Sequence, residues 1–293
     1  MRLLILLVLT LLLSGCGGKG NSPPPQPSNP IPPVEEIAIA PPRRKIYFTF
    51  FGCDDNVDET FPFINVYFEA CWGDPFERMK RAKAAGVPAI FVLSGYLLTP
   101  VTTGQSAMQL LPEATARTNL ITLFDRLVQD NTLDNVIAFF VCDEPELVGL
   151  NDSDILLACN ITRAIAATYP ELQGVKLAIN YGDSRNFPGI SYPDWVGLDS
   201  YDWRETIFNP DGIMTYMRTL LKPDQKVILF PGGCDDWKQN PIPFYDYANN
   251  DEQVVAIVSF IWLDNWANQG KKGIQGNNMR DLYVKLGTLL KAS

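Results

Sequence analysis

The 293 residues carry 24 Lys and Arg against 33 Asp and Glu, a formal charge of −9 with an isoelectric point near 4.6. Nucleic acid and anionic surfaces are therefore disfavoured as partners, because phosphate binding needs a basic face, whereas neutral glycans stay open. There is no histidine, which removes Ser-His-Asp hydrolysis, His-activated cysteine chemistry and His-ligated zinc and leaves acid–base work to carboxylates, Tyr, Lys or Cys.

The chain begins with Met1-Arg2 and an apolar run from Leu3 to Leu13 broken only by Thr10. At ~1.5 Å per residue the run covers roughly 17 Å, short of the ~30 Å hydrocarbon layer, so a signal-peptide core is expected rather than a spanning helix. Leu13-Ser14-Gly15-Cys16 follows and resembles the lipobox of bacterial lipoproteins. That resemblance implies cleavage after residue 15 and acylation of Cys16, with several chains giving an anchor to the lipid bilayer. Gly17 rather than Asp after Cys16 points to the outer membrane or cell surface of a Gram-negative host. Residues 16–44 are rich in Gly, Ser, Asn and Pro and read as a tether, up to ~80 Å long if polyproline II.

Residues 45–293 show no second Pro/Gly-rich break and no internal repeat, so one domain is expected, as a monomer. Short apolar runs alternate with amphipathic stretches, the pattern of parallel βα units. Strands are expected at Lys45–Phe51, Phe63–Phe68, Pro88–Leu93, Val136–Val141, Lys176–Ile179, Trp195–Leu198, Lys226–Phe230 and within Val254–Trp262. Helices are expected at Asp74–Ala85, Ala114–Gln129, Asp152–Thr168, Asp211–Leu221 and near Asn278–Leu290. Eight strands make an α/β fold, a single (β/α)8 TIM barrel, with a first helix that is missing or short because the gap between the first two strands is too small.

Each strand runs into polar residues that such a barrel would gather on one face, where barrel active sites form: Asp54-Asp55, Glu69 with Trp72, Ser94-Gly95-Tyr96, Asp143 to Glu146, Asn180-Tyr181, Asp199 with Tyr201, Asp235 to Trp237, and Asp264 to Trp266. In Phe139-Phe140-Val141-Cys142-Asp143-Glu144-Pro145-Glu146 an apolar strand meets three carboxylates. It resembles the Asn-Glu-Pro at the end of strand four in clan A glycoside hydrolase barrels. That resemblance implies that Glu144 is the general acid/base and that Asp143 replaces the Asn contacting the sugar 2-hydroxyl. A helix N-terminus, where acidic residues and Pro are common, would look the same.

Clan members also carry a nucleophilic Glu after strand seven, and here Leu229 to Trp237 contains none. Asp235 or Asp236 is the substitute, as nucleophile or as the base that activates water, so the stereochemical course stays open. Val196 to Trp203 is similar to the strand-six Asp-x-Tyr of barrel glycosidases, with Asp199 and Tyr201 in those places. Trp72, Trp203, Trp237, Trp262 and Trp266 fall at or beyond strand ends, where indole faces stack on sugar rings; Trp262 resembles the cleft-floor Trp of such barrels, and Trp195 opens strand six at the far side.

Of the remaining cysteines, Cys53 and Cys71 end adjacent strands and are expected to pair, while Cys142 reads as a buried spacer; with no CxxC pair a zinc site is unsupported. The favoured reading is a membrane-anchored hydrolase of a poly- or oligosaccharide, with Glu144 and Asp235 or Asp236 catalytic and Asp143, Glu146, Asn180, Asp199, Tyr201, Trp72, Trp203, Trp237 and Trp262 binding substrate. It requires no cofactor or metal. The competing readings are a glycan-binding lipoprotein without catalysis and, last, a rim that holds Ca2+.

Overall fold

The computed structural model describes residues 37–293 except 54–55, 71–72, 103–105, 183–184, 200–210, 235–238 and 266–269. The expected signal peptide, Cys16 and the expected tether as far as residue 36 thus lie outside the described residues.

Eight parallel strands are present: β1 (Tyr47–Phe50), β2 (Tyr67–Glu69), β3 (Ala89–Val92), β4 (Val136–Asp143), β5 (Lys176–Tyr181), β6 (Trp195–Asp199), β7 (Lys226–Phe230) and β8 (Val254–Ser259). They pair in the order β1-β8-β7-β6-β5-β4-β3-β2, which is the (β/α)8 order with one seam, between β1 and β2. A side chain closes that seam. Asn65 accepts from the Phe48 N–H at 2.6 Å through Oδ1 and donates through Nδ2 to Ile46 O at 2.8 Å and Leu290 O at 2.9 Å, while its own N–H reaches Phe48 O at 3.2 Å. One amide therefore supplies the hydrogen bonds that a longer β2 would have made.

Besides a single turn at Ser94–Leu97, the helices among the described residues are α1 (Val57–Thr60), α2 (Pro75–Ala84), α3 (Glu113–Gln129), α4 (Asp152–Ala166), α5 (Ile213–Leu220), α6 (Ile242–Asn250) and α7 (Arg280–Lys291). As the short β1–β2 gap requires, the described residues of the first crossover hold only the single turn α1 and a 3-10 turn, Phe61–Phe63. Local signals fix the longer ones. Asp74 caps α2 by accepting the Phe76 N–H at 3.0 Å with Pro75 at its first position, and Asn151 with Asp154 forms a capping box at α4. Between β5 and β6 the described residues hold only turns, through Pro188, Gly189 and Pro193.

Strand alternation divides the core in two. Tyr67, Phe91, Phe139, Leu177, Ile179, Tyr181, Leu198 and Leu229 face the helices; Phe68, Ile90, Ala138, Phe140, Ala178, Ile228 and Ala256 fill the barrel interior. Trp195, the first residue of β6, plugs the lower end of that interior beside Tyr47, ring centroids 5.9 Å apart.

The tether boundary at residue 44 is corrected. Ile37 O accepts from Lys285 Nζ at 2.8 Å, Ala40 O from the Tyr245 hydroxyl at 2.6 Å and Pro41 O from Asn249 Nδ2 at 3.1 Å. Residues 37–44 thus belong to the folded unit. Proline lacks an N–H but keeps its carbonyl, and side chains of α6 and α7 use such carbonyls as acceptors.

Candidate active site

The site begins with an irregularity in β4. Pairing with β5 slips between Phe140 and Cys142, so Val141 and Cys142 both turn toward the helices and the alternation resets. Regular alternation from Ala138 and Phe140 would have put Cys142 inside and Asp143 outside. With the bulge Asp143 faces the barrel mouth, opposite Asn180, whose Nδ2 donates to Asp143 Oδ1 at 2.9 Å. Gly197 on β6 makes room for this pair, since a Cβ there would lie 2.7 Å from Asn180 Oδ1 and 2.6 Å from the Phe230 ring.

Glu144 leaves the strand with φ +43°, a left-handed backbone that costs a non-glycine residue on the order of 1–3 kcal/mol. Its N–H donates to Asn180 O at 2.9 Å and its carbonyl accepts from Leu147 N at 2.9 Å, which holds the turn. The side chain reaches over the end of β5 to Gly182: the position a Gly182 Cβ would take lies 2.8 Å from Glu144 Oε1 and 3.1 Å from Glu146 Oε1. Glu146 is held there by the Gly182 N–H, which donates to Oε1 at 2.5 Å. Its Oε2 is buried with no partner among the described residues.

Beneath the carboxylates lies a floor of phenylalanines. Phe51, Phe68, Phe140, Phe230 and Phe260 pack ring on ring, with centroids 5.1–6.4 Å apart. A carboxyl over such a floor loses water, and among the described residues no cation offsets that loss. Burial pushes Glu144 well above the usual carboxylate range, and the negative charges of Asp143, Asp199 and Glu146 push it further. Burial also raises Asp143, against which the Asn180 amide acts. Burial lifts Glu146 to about 7, opposed by backbone N–H donors including that of Gly182. The arrangement can therefore offer a protonated carboxyl beside ionised ones at neutral pH, the division of labour that acid–base catalysis needs.

Asp143, Glu144, Glu146, Asn180 and Asp199 come together at the ends of β4, β5 and β6. Tyr201, Trp203, Asp235, Asp236, Trp237, Trp72 and Trp266 lie outside the described residues, as does Cys71, the expected partner of Cys53. Trp262 is corrected: it is fully buried on the helix side, 4.7 Å from Phe50 and 5.4 Å from Phe63, with the Arg280 guanidinium 5.8 Å over its ring, and presents no face to the mouth. Glu69 likewise points outward, into a buried ion pair with Arg78 at 2.8 Å. Cys142 is buried, and burial raises its thiol well above the ordinary value, which suits a spacer. The phenylalanine floor and Gly182 were missed. Strand parity would have found the floor, because Phe68, Phe140 and Phe230 each stand on an inward position near a strand end.

No protein-family model and no curated protein matches the chain. Among solved structures it is similar to a β-glucuronidase of Lactobacillus rhamnosus, at 14% identity over 83% of this chain and 49% of that one, TM-score 0.56. It is similar too to the β-glucuronidase of an uncultured Clostridium sp., at 11% identity over 85% and 51% with TM-score 0.53. A third is that of Ruminococcus gnavus in complex with uronic deoxynojirimycin, at 11% identity over 83% and 50% with TM-score 0.54. The chain spans about half the length of these structures. At such identities the likeness shows the fold, a (β/α)8 barrel.

Proposed function

We propose that this protein is a glycoside hydrolase, acting on a poly- or oligosaccharide from a lipid anchor at Cys16 on the outer membrane or cell surface. The observation that carries the reading is the Glu144 carboxyl buried at the strand ends beside Gly182 and Glu146, where burial and the charges of Asp143, Asp199 and Glu146 favour its protonated form. Glu144 gives its proton to the glycosidic oxygen, and the partner carboxylate is Asp235 or Asp236 after β7 or another group at the mouth. Asp143, held by Asn180, takes the place from which a sugar hydroxyl is contacted. The unpartnered Oε2 of Glu146 is an acceptor for another hydroxyl. The similar barrels are named β-glucuronidases, so glucuronides belong among the first substrates to try, beside neutral glycosides.

Glycan binding without turnover is the second reading, favoured by the absence of any Glu between Leu229 and Trp237. One experiment separates them. Wild type and Glu144→Gln are assayed on a polysaccharide and aryl-glycoside panel for released reducing sugar and for binding. The hydrolase reading expects turnover in the wild type, a loss of about 10²–10⁴-fold in kcat in the variant, and binding retained. Binding with no turnover in the wild type establishes the second reading instead.

A further inference from the structure

Beyond Glu144, the mouth holds a carboxylate on β6 whose place is defined by register. β5 and β6 pair Asn180 with Gly197 and Tyr181 with Leu198, and continuing that register sets Gly182 beside Asp199. Both positions face inward, since Ala178 and Trp195, an even number of residues earlier on their strands, lie in the barrel interior. Gly182 has no side chain, and the space its Cβ would fill is taken by Glu144 Oε1, 2.8 Å from that point. The Glu144 carboxyl therefore occupies the side-chain slot next to that of Asp199, one interstrand spacing away, ~4.8 Å. Two carboxyl groups on either side of a glycosidic bond at ~5–5.5 Å suit a covalent intermediate, whereas inversion through water needs ~6.5–9.5 Å.

We propose that Asp199 is the catalytic nucleophile of this site, in place of a residue after β7. The inference rests on the hydrolase reading above. In the first step an Asp199 carboxylate oxygen bonds the anomeric carbon as the bond from that carbon to the glycosidic oxygen breaks, and Glu144 passes its proton to the departing oxygen. In the second step water attacks the same carbon, its proton goes to the Glu144 carboxylate, and the bond to Asp199 breaks with its electron pair returning to the carboxylate. Water is the one co-reactant, the ring carbon is inverted twice, and the product keeps its anomeric configuration. The rise of the Glu144 pKa caused in part by Asp199 is what two facing carboxyl groups produce.

The test begins without substrate. Carboxyl 13C NMR titration of wild type and Asp199→Asn should show the Glu144 pKa falling by about one unit in the variant, a tenfold change in proton affinity; no shift overturns the juxtaposition. Each sugar that the wild type hydrolyses as its 4-nitrophenyl glycoside is then supplied as the 2,4-dinitrophenyl 2-deoxy-2-fluoroglycoside. The expected results are a covalent adduct mapped by peptide mass spectrometry to Asp199, a retained anomer by proton NMR, and a loss on the order of 10³-fold or more in Asp199→Asn. An adduct on Asp235 or Asp236, or an inverted product, overturns the assignment while a dead Glu144→Gln leaves the hydrolase reading intact. An active Glu144→Gln, or a wild type idle on every probe, ends both.

Discussion

Glu146 accepts the Gly182 N–H at 2.5 Å, yet burial holds its carboxyl up at about 7. Its pKa in the folded state exceeds the unfolded value of ~4.3, so between those values the native chain keeps a proton that the unfolded chain has released. That contribution to stability is complete below pH ~4.3 and is lost as pH rises through about 7. Glu146→Gln, whose amide oxygen can still accept from Gly182, should therefore melt with the wild type near pH 4 and a few degrees above it at pH 8. Thermal melts that coincide at both pH values would contradict this.

At the same scale, the sequence made the carboxylates legible but not their surroundings. Asp143, Glu144 and Glu146 announce themselves by following an apolar strand. The bulge at Val141 that turns Asp143 inward has no such signature, since Val141 and Cys142 are as apolar as the rest of β4. Trp262 fails for a related reason: beyond the last ladder pair of β8 alternation no longer says which way a side chain faces, and α7 covers it.

Among the elements, β2 and α2 are joined by the Glu69–Arg78 pair. Arg78 Nε donates to Glu69 Oε2 at 3.0 Å and its NH2 to Oε1 at 2.8 Å, while the Tyr67 hydroxyl donates to the same Oε2 at 2.6 Å. Both charged groups are excluded from water. Arg78→Met should cost about 3–5 kcal/mol in urea unfolding, since it strands a buried carboxylate, and adding Glu69→Leu should recover most of the loss. A single variant as stable as the wild type would refute this. Other elements escape sequence reading because they are short or contain prolines. The antiparallel pair Leu98–Pro100 and Met108–Leu110 has three residues a strand, too few for a period. α6 opens within Pro241-Ile242-Pro243, where proline starts a helix but reads as a break.

For the molecule as a whole, the eight-strand count and the weak first crossover were both readable from alternating apolar runs, and the closure of the ring was not. That closure hangs on Asn65. Asn65→Ala leaves the Phe48 N–H and the Ile46 and Leu290 carbonyls without their side-chain partner, at about 1–3 kcal/mol for each group left buried and unsatisfied. Hydrogen exchange in the variant should accelerate first at β1 and β2, and a loss of protection spread evenly around all eight strands would argue against a seam.

Trp195 below and the phenylalanines above leave the ring solid from end to end. Nothing can thread it. Whatever meets Glu144 and Asp143 must arrive from the C-terminal rim of the strands, because no route leads to them along the barrel axis.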